Sequence, residues 1–477
     1  MSRIHAFGDD ALGDLDAVGL VEALREGRVS APDLVEAAIA RTEVVAAPLG
    51  ALAHRAYDRA REQAARPGVG FFAGVPTLIK DNVDVAGMPT QQGCDAFVSK
   101  VHTEDGDFAR TFLATGLVPI GKSQLSEFGF SAAAEHPRLG PVRSPWDTTR
   151  VAGASSAGSA ALVAAGAVPI AHANDGGGSI RIPAAVNGLV GLKPSRDRLA
   201  QDALSRQMPV RIVADGVVTR TVRDTAAFLR EAEKAYRTLR LPPIGDITRP
   251  GKARLRIAVN TTGLQRAADP EVADAVRAVA DLLHGAGHHV EEVADLPVEA
   301  GFPDDFLLYW GLLALAIVRG GRFTFGPTWD AGRTDNLTRG LERHTRRHLH
   351  RLPGAITRLR RAPARSAAFF ERYDAVLTPT LATSTPRVGH LDPTQPYEVV
   401  VERLLDWVAF TPLANVTGDP AISLPLATDA DGLPLGVMLT AGLGREARLL
   451  ELAYELERIA PFASLAQTPV ERRDGDF

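Results

Sequence analysis

Apolar positions along this chain recur in two alternating periods, one close to a helical turn and one strand-like. Behind Ser30-Ala-Pro-Asp33, the residues Leu34, Val35, Ala38 and Ile39 return at helical spacing after an N-cap serine, an early proline and a first-turn carboxylate. Residues 1–65 therefore read as N-terminal helices. The stretch 71–85 reads as a strand region in which Phe72, Val75, Leu78 and Ile79 lead into Lys80. A short helix at 108–115 and a strand at 117–121 follow. Residues 160–165 read as a helix packed by small side chains, and 168–173 as a buried strand running out at Asn174-Asp-Gly-Gly-Gly-Ser179.

The second half continues the alternation. A strand at 255–259 precedes a helix capped by Asp269-Pro270 and running to about Leu283, which Gly285 and Gly287 stop before a strand at 289–293. Residues 303–372 read as largely helical and Arg-rich. Strands are expected at 375–381, 421–425 and 435–440, and a closing helix at 445–459. Strands alternating with helices predict an α/β sheet. A chain of 477 residues fits either two or three domains or one large mixed sheet.

Composition narrows the partners. A net charge of −4 gives no electrostatic footprint for nucleic acid or a membrane surface, so a small neutral substrate is expected. The longest apolar stretch, 160–173, is too short to span a bilayer, and the N-terminus has no apolar signal core. These features predict a soluble, cytoplasmic protein. Cys94 is the only cysteine, which excludes an internal disulfide and a thiolate metal cluster, and it reads as inert packing. His344, His348 and His350 stand near helical spacing, but among arginines and without a carboxylate ligand pattern, so neither a metal nor any other cofactor is expected. Of 53 basic residues only six are lysines, so a lysine inside an apolar run is unusual. Lys122 and Lys193 read as structural.

Cleaving an amide requires an activated nucleophile, a proton for the departing nitrogen and donors aimed at the developing oxyanion. Ser179 follows Gly176, Gly177 and Gly178, whose unshielded backbone N–H groups can converge on one oxygen. The run Ser-Ile-Arg-Ile-Pro from Ser179 reads as the start of a helix, whose dipole would add to that stabilisation. No histidine relay stands out. Lys80, in an apolar strand, is costly to keep charged, so its amine is expected to lose its proton readily. Ser155 can bridge the two, since a hydroxyl both donates and accepts. The chain lacks the other common nucleophile patterns, Ser-x-x-Lys, Gly-x-Ser-x-Gly and a phosphate-binding loop.

Three runs, Gly153-Ala-Ser-Ser-Ala-Gly-Ser159, Asp175-Gly-Gly-Gly-Ser-Ile-Arg181 and Gly188-Leu-Val-Gly-Leu-Lys-Pro194, resemble the glycine- and serine-rich signature of the amidase-signature hydrolases. Gly74-Val-Pro-Thr-Leu-Ile-Lys-Asp81, Gly121-Lys-Ser with Glu127-Phe-Gly, Arg143-Ser-Pro-Trp-Asp147, Asn415-Val-Thr-Gly-Asp-Pro-Ala421 and Gly432-Leu-Pro-Leu-Gly436 extend the resemblance over nearly the whole chain. Two departures stand out. Ala157 replaces a common glycine, and Asn174-Asp-Gly replaces the frequent Thr-Asp-Thr; the latter version resembles a bacterial branch that includes enzymes acting on cyclic nylon oligomers.

The resemblance implies one α/β domain over 1–477, a large mixed β-sheet flanked by helices on both faces. The signature core lies at 66–245 and the second part of the sheet at 246–477, with a substrate-facing helical insertion at about 303–372. It implies a Ser–cis-Ser–Lys triad acting through an acyl-enzyme. Lys80 is the base, Ser155 the bridging serine after a cis peptide bond and Ser179 the nucleophile, with an oxyanion hole from the N–H groups of Gly176, Gly177, Gly178 and Ser179. Asp175 and Arg181 brace the loop, and Ser156 joins the network. The activity implied is that of a stand-alone bacterial amidase, a monomer or homodimer, hydrolysing carbon–nitrogen bonds other than peptide bonds. Substrate choice is expected to lie in the segments near 128–138 and 305–410. The A subunit of a glutamine-dependent tRNA amidotransferase resembles the chain in the same motifs, but the segment 195–215 and the C-terminal half favour the stand-alone enzyme. A relative that only binds is disfavoured, because all three reacting side chains are present.

Overall fold

The computed structural model describes residues 2–467. Among them, eleven strands form one mixed sheet. Across the sheet the order is Leu52–Arg55, Val118–Ser123, Pro76–Lys80, Ile170–Asp175, Ala214–Thr219, Val190–Lys193, Ala421–Thr428, Pro434–Thr440, Ala375–Pro379, Arg256–Val259 and His289–Glu292. Pro76–Lys80 runs parallel to both its neighbours, whereas the five strands from Ala214–Thr219 to Ala375–Pro379 pair antiparallel with one another. The chain's two halves are thus joined within the sheet by the contact of Val190–Lys193 with Ala421–Thr428.

Alternation along the strands separates two buried faces. Ala375 and Leu377 join one core with Ile257, Val259 and Leu439, while Val376 and Ala258 join a second cluster and Met438 a third. The helices Ala31–Leu49, Ala157–Ala164, Val222–Ala235, Pro270–Gly285 and Glu446–Ile459 contribute to the first core. The helix Ala31–Leu49 starts as its sequence predicts: Ser30 and Asp33 exchange reciprocal backbone and side-chain hydrogen bonds. The helix at Pro270 starts differently, for Asp269 makes no capping bond and pairs with Arg266 instead.

The region 303–372 divides into the helices Phe302–Phe325, Asn336–Arg347 and Leu352–Arg372. Phe302–Phe325 is long and apolar enough to cross a membrane by length and composition, a property that the stretch 160–173 lacks. Phe302, Phe306 and Tyr309 pack in a cluster with Val210, Ile212 and Leu359, and Trp310 borders it. Elements that were not predicted include the strands Leu52–Arg55, Asp147–Val151, Val190–Lys193 and Ala214–Thr219, and the helices Val222–Ala235, Tyr397–Trp407 and Pro412–Thr417.

Candidate active site

Lys80 is the last residue of its strand and has no exposed surface. Its Nζ lies 2.7 Å from Ser155 Oγ and 2.6 Å from Asn174 Oδ1. Burial strongly disfavours the ammonium form; the carboxylates of Asp215 and Asp175 oppose this in part, and the amine is pushed down to about 7. Two other lysines are buried but occupied elsewhere. Lys122 donates to Val83 O and Thr90 Oγ1, and Lys193 to Pro194 O.

Ser155 follows a cis peptide bond from Ala154, just before the small-residue helix Ala157–Ala164. Ser156 turns the other way and donates to Ser179 O at 2.6 Å, tying the serine loop to the glycine loop. Ser179 lies beyond the end of the strand Ile170–Asp175 and is 7% exposed. Its hydroxyl makes no hydrogen bond among the described residues, and it borders the same cleft as Ser155, Asn174 and Asp215. The helix after it begins at Arg181 and has only seven residues, so the serine precedes the helix and does not open it.

The glycine loop is held from beneath by Asp175. Its carboxylate forms a two-pronged pair with Arg181, at 2.9 Å through both Nε and Nη2, and neither side chain is exposed. Arg181 also donates to Thr411 O and Asn415 Oδ1, and Asn415 returns a bond to Asp175 Oδ1. Burial works against the Asp175 charge, yet the adjacent guanidinium holds it well below the usual carboxylate range.

This bracing corrects the donor set expected from sequence. The Gly178 N–H donates to Asp175 Oδ1 at 2.7 Å, so it is directed into the brace and away from any oxyanion. The N–H groups of Gly176, Gly177 and Ser179 have no acceptor among the described residues and remain the available donors. Gly178 is still required as glycine: its φ is +136°, and a Cβ there would lie 2.4 Å from Thr411 Oγ1.

Two polar residues behind Lys80, His172 and Asp215, escaped the sequence reading, and Asn174 was noted there without a role. His172 Nδ1 accepts the backbone N–H of Lys80 at 3.2 Å, and its Nε2 lies 3.3 Å from Asp215 Oδ1. Asp215 stands directly across from Asn174 in the antiparallel pairing. Burial raises its carboxyl to about 7, against the opposing pull of Lys80 and Asn174. The available signals were His172 and Asn174 at strand spacing, and one carboxylate inside the apolar run Val213-Ala-Asp-Gly-Val-Val218.

Two cavities meet at Ser179. One is walled by Phe130, Ile182, Phe306, Trp310, Leu404 and Val408. The other runs past Ser155 and Asn174 toward Asp105, Asp202 and Arg110. Trp310 borders both, stacked on Phe306 and edge-on to Phe130. Phe130, Phe306, Trp310, Leu404 and Val408 lie within the segments 128–138 and 305–410, whereas Ile182, Asp105, Arg110 and Asp202 lie outside them.

With this geometry in place, comparison with known proteins gives a consistent picture. Residues 33–450 match the Amidase family. AmiC of Mycobacterium leprae, an amidase by name, is 62% identical over 465 residues, covering 98% of this chain and 99% of that protein. The 6-aminohexanoate-cyclic-dimer hydrolase of Paenarthrobacter ureafaciens is 31% identical over 472 residues, covering 94% and 95%. A solved structure of a 6-aminohexanoate cyclic dimer hydrolase superposes with a TM-score of 0.86 at 29% identity, covering 95% of this chain and 98% of that one. A bacterial aryl acylamidase superposes at 0.84 with 25% identity, covering 96% and 99%.

Proposed function

The chain belongs to the amidase-signature family and is a hydrolase of amide carbon–nitrogen bonds, and from that premise we propose that it works through a Ser179 acyl-enzyme with Lys80 as base. The observation that carries this reading is a fully buried lysine amine, pushed down to about 7, within 2.7 Å of the Ser155 hydroxyl in the cleft that Ser179 borders. At neutral pH a large share of such amines is free of its proton.

In the proposed cycle the neutral Lys80 amine takes the Ser155 proton as Ser155 takes the Ser179 proton. Ser179 Oγ bonds to the carbonyl carbon, and the carbonyl π electrons move to oxygen. The N–H groups of Gly176, Gly177 and Ser179 receive that oxyanion. Collapse breaks the C–N bond, and the Lys80 proton passes through Ser155 to the departing nitrogen. Water, activated by the same relay, then releases the carboxylate and restores Ser179. The mainly apolar cavity beside Ser179 supports an amide with an aryl or extended alkyl group on one side of the scissile bond. An ester should react by the same route, since its leaving group departs more readily.

A fluorophosphonate probe tests the assignment directly. The expected result is one covalent adduct per chain on the peptide containing Ser179, absent in Ser179→Ala, with amide hydrolysis lost in parallel. Hydrolysis by Ser179→Ala at the original rate would refute it.

A further inference from the structure

The base is held by more than its serine partner, and the way it is held decides where its lone pair points. An unprotonated lysine amine has two N–H donors and one acceptor position. Asn174 Oδ1, at 2.6 Å, can only accept, so one N–H of Lys80 must be directed at it. The remaining close polar partner is Ser155 Oγ at 2.7 Å, which leaves the lone pair available to that hydroxyl. Were the Asn174 amide turned over, its NH₂ would face the amine instead, competing for the lone pair or opposing an ammonium.

What resists that turn is the residue across the ladder. Asn174 and Asp215 are direct partners in the antiparallel pairing, which places their side chains side by side on one face. Since Asn174 Oδ1 is taken by Lys80, its amide nitrogen is the group that faces the carboxylate, and Asn174 stabilises the Asp215 anion. Asp215 is itself oriented. His172 accepts the Lys80 backbone N–H on Nδ1, so the neutral ring carries its proton on Nε2 and presents it to Asp215 Oδ1. The ring is held against Phe108 and Phe112, with centroids at 4.6 and 5.9 Å.

We propose that Asp215 is a positioning residue for the base: through the amide nitrogen of Asn174 it keeps the Asn174 carbonyl on Lys80, and so keeps the Lys80 lone pair on Ser155. His172 closes the circuit by coupling the Lys80 backbone to Asp215. The inference rests on Lys80 acting as the base, as set out above. Asp215 also acts through its charge, being the first of the carboxylates that favour the Lys80 ammonium, with Asp175 the second. The other charged groups that bear on this circuit are Lys122 and Asp202.

Kinetics of the full chain on one amide, measured across pH, separate this role from a structural one. Asp215→Asn is expected to lower kcat about 10- to 100-fold with KM changed little, because only the proton relay is misaligned. It should also move the acid limb of the rate profile to lower pH, since a negative charge that favours protonated Lys80 is gone. Asp215→Glu should recover part of kcat. A wild-type kcat in Asp215→Asn, or a loss of kcat matched by a loss of folded protein with the acid limb unmoved, overturns the proposal. Should Asp215→Asn fail to fold, Asn174→Ala carries the test: kcat must fall at unchanged KM, and an unchanged kcat refutes the role. Full activity in Lys80→Met would overturn the base assignment and this inference together. Inactive Lys80→Met beside a fully active Asp215→Asn would remove the positioning role alone.

Discussion

Lys80 Nζ and Ser155 Oγ lie 2.7 Å apart at a point where the lysine has no exposed surface. The pairing joins the end of the strand Pro76–Lys80 to the turn before the helix Ala157–Ala164, so the contact depends on sheet and helix together. An amine so placed is inexpensive to keep neutral and costly to charge, which suits it to accept protons near neutral pH.

The first expectation follows from that cost. Only the proton-free amine can act as base, and burial pushes Lys80 down to about 7, so kcat/KM should rise with pH through that value and level off above it. Initial rates between pH 5 and 9 test this, and a rate that falls over the same interval would contradict it. Lys80→Met, which fills a similar volume without a proton acceptor, should lower kcat at every pH by about 1000-fold or more.

The glycine loop offers a second test. Gly178→Ala places a Cβ 2.4 Å from Thr411 Oγ1 at a φ of +136°. Backbone strain of roughly 1–3 kcal/mol is expected, with displacement of the neighbouring N–H donors. The measurable outcome is a lower Tm together with a kcat reduced by about tenfold or more, since misplaced donors stabilise the oxyanion poorly. Unchanged kcat would mean that the loop tolerates the shift.

A third concerns the brace under that loop. Asp175→Asn removes the countercharge from Arg181, which has no exposed surface, and an unpaired buried guanidinium costs about 3–5 kcal/mol. Urea unfolding should show this loss. Arg181→Gln in the Asp175→Asn background should cost less than the sum of the two single changes, because the stranded charge is gone.

The apolar cavity gives a fourth. Trp310 borders both cavities, so Trp310→Ala should raise KM for amides with an aryl or long alkyl group by about tenfold and leave acetamide nearly unaffected. Equal effects on both kinds of substrate would place specificity elsewhere.

The proposed reactive groups could be picked out in the sequence because each carries its signal locally. An apolar strand ending in lysine, a serine pair inside a small-residue run and a serine after three glycines are patterns of neighbours. Most strands and helices were legible for the same reason, since side-chain periodicity is a local property. Ala214–Thr219 was not, because its carboxylate and glycine interrupt the apolar run.

Tertiary structure alone decided the order of the sheet, and with it which residues meet. Asp215 lies 41 positions beyond Asn174 in the numbering, yet strand pairing makes them direct neighbours. It also decided which glycine N–H stays free, because Asp175 folds back to engage Gly178 and leaves Gly176 and Gly177 open. Composition and spacing determine which chemical groups are available. Their proton affinities and directions depend on burial and on partners from distant strands, and these exist only once the chain has folded.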